Sequence, residues 1–129
     1  MTPENKEAPE LQPVVLRRLL GNGLTMIYIN PQAEGVQLPA HLMEQKSCAI
    51  TLSWRFAASV NLRLDLQGVR ANLSFKGTNF PCVIPWRAIF AMGRVNEGPS
   101  AIWPDNIPEA LKKILTPHAA AELGLGEKV

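Results

Sequence analysis

The chain has 129 residues, enough for one domain, and its 47% hydrophobic, 19% charged and 6% aromatic content is that of an ordinary globular domain, excluding a disordered or collagen-like chain. The formal net charge of +2 is unevenly spread, because residues 1–13 sum to −2, residues 14–103 to +5 and residues 104–129 to −1. A mildly basic body between mildly acidic ends suits an acidic peptide or a nucleic acid, and falls short of a nucleic-acid footprint on its own.

The opening MTPENKEAPE is polar and acidic where a secretory signal is basic and then apolar, and no apolar run approaches the ~18 residues of a membrane span. A soluble, cytoplasmic protein is expected. Residues 1–12 predict a flexible arm. From Pro13, PVVLRRLL spaces Val15, Leu16, Leu19 and Leu20 as one helical face, with Gly21 at the stop. Such a short helix must dock to persist, since helix nucleation is unfavourable. LTMIYIN, ending at Pro31, reads as a strand, EGVQLPAHL as an extended piece broken by Pro39, and CAITLSW as a second strand.

Val60, Leu62, Leu64 and Leu66 alternate with Asn61, Arg63 and Asp65, the period of a half-buried strand. After Gly68 the alternation resumes, with Val69, Ala71, Leu73 and Phe75 inward and Arg70, Asn72, Ser74 and Lys76 outward. Lys76–Asn79 predicts a four-residue hairpin loop into FPCVIP. WRAIFAM places Trp86, Ile89 and Phe90 on one face of a short covering helix, residues 93–107 read as an irregular connection, and Pro108–Leu115 and Pro117–Leu123 as short helices. The expectation is therefore mainly β, a small antiparallel barrel of about five strands with short flanking helices over residues 13–103, followed by a helical tail over 104–129.

Candidates for catalysis are few and scattered: His41, His118, Cys48, Cys82 and Asp65. No nucleophile elbow, zinc-protease pair or phosphate-binding glycine loop occurs, and Gly21-Asn22-Gly23 precedes a strand and lacks the third glycine of a dinucleotide fingerprint. The two cysteines and two histidines lack metal-ligand spacing. No enzyme, cofactor or metal is expected, and the cysteines are read as buried reduced thiols.

The run LLGNGLTMIYINPQAEGVQLPAHL, followed by VNLRLDLQGVRANLSFKGTNFPCVIPWRAIFAM, resembles the stringent starvation protein B family of adaptors for the ClpXP protease. The most specific pieces are Gly35-Val36-Gln37-Leu38-Pro39, the stretch Asn61 to Phe75 with Gly77, and Val83-x-Pro85 leading to Ala91-Met92. The resemblance runs from about Leu19 to Gly98. It implies an Sm-like β-barrel that holds an extended degradation-tag peptide of the ssrA kind and delivers it to a ClpX-type unfoldase. Matched position by position, it implies peptide contacts from Trp54, Arg55, Phe56, Ala57, Ala71, Leu73 and Phe75. It also implies unfoldase docking through the terminal Leu125, Lys128 and Val129, and a homodimer whose apolar seam here is Val15, Leu19 and Leu20. The competing expectation is an Sm-like RNA-binding barrel. Against it, the alternating strands turn Phe75 inward and leave Asn, Ser and charges outward, where base stacking wants exposed aromatics.

Overall fold

A computed structural model describes residues 10–56 and 59–112. The chain is mainly β, with two antiparallel sheets and a few short helices. Helix α1 (Gln12–Leu20) opens the described chain with Pro13 in its first turn. Its face of Val15, Leu16, Leu19 and Leu20 is buried against β1 (Thr25–Ile29) and β6 (Ile89–Arg94). Full burial of each such side chain contributes about 1.5–3 kcal/mol, which holds a helix too short to stand alone.

β1 alternates buried and half-buried residues and lies between β2 (Cys48–Leu52) and β6; β7 (Gly98–Ile102) completes this first sheet in the order β2-β1-β6-β7. The second sheet runs β3-β4-β5, from Arg63–Leu64, Gly68–Phe75 and Thr78–Pro85. A bridge between Gln37 and Val83 adds residue 37 to the far side of β5, through hydrogen bonds of 2.9 and 3.0 Å. α2 (Ala40–Met43) follows it, and α3 (Glu109–Lys112) ends the described chain. No strand pairing among the described residues closes the two sheets into a barrel.

Among the described residues seven strands stand where about five were expected. The covering helix over WRAIFAM does not form: a 3₁₀ turn at Trp86–Ala88 leads directly into β6. Residues 89–93 are all buried, and a uniformly apolar run of this length has no period to separate a doubly covered strand from a helix. The connection over 93–107 contains β7, whose Pro99 is tolerated because β7 is an outer strand. The hairpin between β4 and β5 is tighter than expected, two residues with positive φ, Lys76 (55°) and Gly77 (83°), between the paired Phe75 and Thr78. The alternating segment 60–66 shrinks to Arg63–Leu64, because Asn61 takes a left-handed φ of 54° that no continuous strand accommodates.

The two described ends of the chain meet at the 3₁₀ turn that joins the sheets. Gln12 Nε2 donates to the carbonyls of Trp86 and Ile89, both at 2.8 Å. Asn106 Nδ2, from a 3₁₀ turn at Pro104–Asn106, donates to the same carbonyls at 3.5 and 3.0 Å. The Trp103 indole N–H donates to the Glu10 carbonyl at 2.9 Å.

Candidate peptide-binding groove

β2 is an outer strand, so one row of its backbone N–H and C=O groups points away from β1. Beside it the chain turns through Trp54–Phe56 as a 3₁₀ helix and returns at Ser59. Between the two passes lies a groove of about 360 Å³, lined by Leu24, Thr51, Leu52, Ser53, Ser59, Val60, Leu62 and Leu73. Among the described residues no charged side chain lines it. Its walls combine aliphatic side chains with the hydroxyl residues Thr51, Ser53 and Ser59, suited to an uncharged extended segment with small or apolar side chains.

The expected peptide-contact residues divide. Leu73, on β4, lines the groove. Trp54 follows directly after the lining residue Ser53 and is 42% exposed, large for an indole left in water. Arg55 is exposed, and its backbone N–H donates to Ser53 Oγ at 3.0 Å, which fixes the turn. The backbone over Trp54–Phe56 is a 3₁₀ turn and not a strand. The strand ends at Leu52, ahead of this turn, and Ala57 lies outside the described residues. Ala71 is 5% exposed and packed inward, so it offers a peptide no surface. Phe75 is half-buried at the far end of β4, with its ring edge-to-face to His41 at a centroid distance of 6.1 Å.

Val15, Leu19 and Leu20 do not form an outward seam: all three are buried in the core of their own chain, and α1 turns Leu11, Val14, Arg17 and Arg18 outward instead. A nine-residue helix has one apolar face, and the sheet takes it. Leu125, Lys128 and Val129 lie outside the described residues, as does the helix expected at Pro117–Leu123.

Sequence reasoning missed the other wall of the groove. Leu24 carried a signal, an apolar residue directly after a Gly-Asn-Gly turn that the strand pattern of β1 did not need. Val60 and Leu62 looked like core positions because their alternation is regular; they are half-buried. Both cysteines are unpaired, Cys82 buried and Cys48 half-buried. Among the described residues no three His, Cys, Asp or Glu side chains stand together as metal ligands, and no helix is long and apolar enough to cross a membrane. The chain matches no protein-family model and no curated protein.

Proposed function

We propose that this protein is a cytoplasmic, non-enzymatic adaptor of the stringent starvation protein B kind, holding an extended ssrA-like tag in the groove beside β2 and handing the tagged protein to a ClpX-type unfoldase. The observation that carries this reading is the groove itself: an uncharged aliphatic slot running alongside an outer strand. An extended peptide gains affinity from the backbone groups of such an edge and selectivity from shallow pockets for alternate side chains. The Sm-like reading is supported by the continuity of the two sheets, since β5 of one passes through the Trp86–Ala88 turn directly into β6 of the other. A role that only holds and presents a peptide requires no catalytic group.

Fluorescence anisotropy with a labelled ssrA-type peptide, and in parallel with single-stranded RNA at two salt concentrations, tests the proposal. Peptide binding is expected, and Leu73→Ala and Leu62→Ala each weaken it about 5- to 30-fold, the effect of about 1–2 kcal/mol per truncated contact. Alternate N-methylation of the peptide backbone weakens it too, by removing the edge hydrogen bonds. RNA binding with a steep salt slope and no peptide binding would overturn the adaptor reading in favour of an RNA-binding barrel.

A further inference from the structure

A second concavity, of about 500 Å³, opens on the other face of the β3-β4-β5 sheet. Arg70 and Val83, which line it, are directly paired across β4 and β5, and Arg70 lies three residues from Leu73, so the two side chains leave β4 on opposite faces. Two guanidiniums, Arg70 and Arg87, line this cavity, and among the described residues no carboxylate does.

The local charge pattern is unbalanced. Arg63 and Arg70 stand directly opposite each other across β3 and β4, a like-charge pair that is unfavourable by itself. Asp65 partly offsets it, with Oδ2 3.6 Å from Arg70 Nε. Its carboxyl is held below the usual range, first by the hydrogen bond from the Gln67 backbone N–H, so it stays ionised at neutral pH. Arg70 Nη2 donates to Gln67 Oε1 at 3.0 Å, and Arg87 Nη2 donates to the Glu34 backbone carbonyl at 3.0 Å. Those contacts occupy a minority of the five N–H donors on each guanidinium. Gly35 lies beside Arg87 and Pro85: a Cβ there would stand 3.6 Å from Arg87 Nη2 and 3.2 Å from Pro85 Cγ.

An apolar rim accompanies these cations. Leu66, also lining the cavity, is 98% exposed. It is held out at the tip of a turn in which Asp65 Oδ1 accepts from the Gln67 and Gly68 backbone N–H groups at 2.8 and 3.1 Å. Trp86 is pinned beside it by its indole N–H, which donates to the Asp65 carbonyl at 2.8 Å. A leucine displayed on a rigid turn, next to a tryptophan and two arginines, has the make-up of an interface and not of idle surface.

We propose that this cavity is a second docking site, independent of the tag groove, for an acidic segment of a partner protein whose carboxylates pair with Arg70 and Arg87 and whose apolar side chain covers Leu66 and Trp86. Charge complementarity selects a carboxylate-bearing peptide, and the exposed Leu66 on the apolar rim favours it over a nucleic acid, which would use the cations and leave Leu66 uncovered. The test uses the full chain and a short fluorescein-labelled peptide of alternating Glu and Leu, with a Lys/Leu peptide and single-stranded polyuridylate as comparisons. Binding is read by anisotropy and by amide chemical shifts. The Glu/Leu peptide is expected to bind and to shift the amides of Gly68, Val69, Arg70 and Arg87. Arg70→Gln and Arg87→Gln each weaken it about three- to fivefold, as rim ion pairs do, Leu66→Ser weakens it further, and Leu73→Ala leaves it unchanged. Any of four results overturns the proposal: no binding of the Glu/Leu peptide, equal binding of the Lys/Leu peptide, tighter binding of polyuridylate, or shifts confined to Thr51–Ser53 and Leu62.

Discussion

Cys82 shows how far position alone sets a side chain's chemistry. It lies in β5 opposite Ala71, and burial pushes its thiol from the ordinary 9.0 up to about 11. Because the unfolded thiol ionises first, its contribution to stability is complete below about pH 9 and is lost as pH rises toward 11. Urea denaturation between these limits is expected to show a decline that Cys82→Ala flattens, and iodoacetamide at neutral pH labels Cys82 only after unfolding. At this scale the sequence was informative where the environment is uniform: Val69 and Ala71 were legible as buried from alternation alone, and Cys82 from the general preference of unpaired cysteines for interiors. Leu66 was not, because it completes the same alternation as Leu64 while standing in a turn fixed by Asp65. Ala71, which the resemblance implied for the groove, shares the face of β4 that carries Leu73 but lies where neighbouring residues cover it; a resemblance transfers positions and does not report burial.

Between elements, close approach of backbones decides what a position tolerates. Gly93 in β6 adjoins the irregularity where β6 pairs with β7, and a Cβ there would come within 2.0 Å of the Gly98 carbonyl oxygen. Backbone cannot yield as a flexible side chain would, so Gly93→Ala is expected to cost about 1–3 kcal/mol and to loosen β7. The check is amide exchange: protection is lost over residues 98–102 while β1 and β2 keep theirs. Elements with a clear period, α1, β1 and β4, were readable in the sequence. β6 and β7 were not, the first because an apolar run buried on both faces is silent about its period, the second because Gly98 and Pro99 are loop signals that an outer strand accepts. The groove suffered for the same reason: its walls depend on where β2 stops and the 3₁₀ turn begins, a boundary decided by the Ser53 hydroxyl and invisible to hydrophobic pattern.

On the scale of the whole molecule, the arrangement turns on the segment that leaves one sheet and enters the other. Gln12 and Asn106 give the Trp86 and Ile89 carbonyls two donors from opposite ends of the described chain. Removing either side chain leaves the Ile89 carbonyl one of these donors and removing both leaves it neither, while the Trp86 carbonyl keeps the Ile89 backbone N–H. Gln12→Ala and Asn106→Ala are therefore expected to cost about 0.5–1.5 kcal/mol singly and more than their sum together, a coupling that urea denaturation of the three variants measures.

That junction also bears on how the protein folds in time. Gln12 reaches its acceptors across 74 and 77 residues of chain, so a large loop must be closed before those bonds return any free energy. Local pieces such as the β4–β5 hairpin have no such delay and supply the early contacts. The double clamp on Trp86 and Ile89 then acts as a late-closing latch: in stopped-flow experiments its loss accelerates unfolding and leaves the refolding rate nearly unchanged. The persistence of the native state is thereby set at a point apart from the tag groove and adjoining the second proposed surface, which shares Trp86.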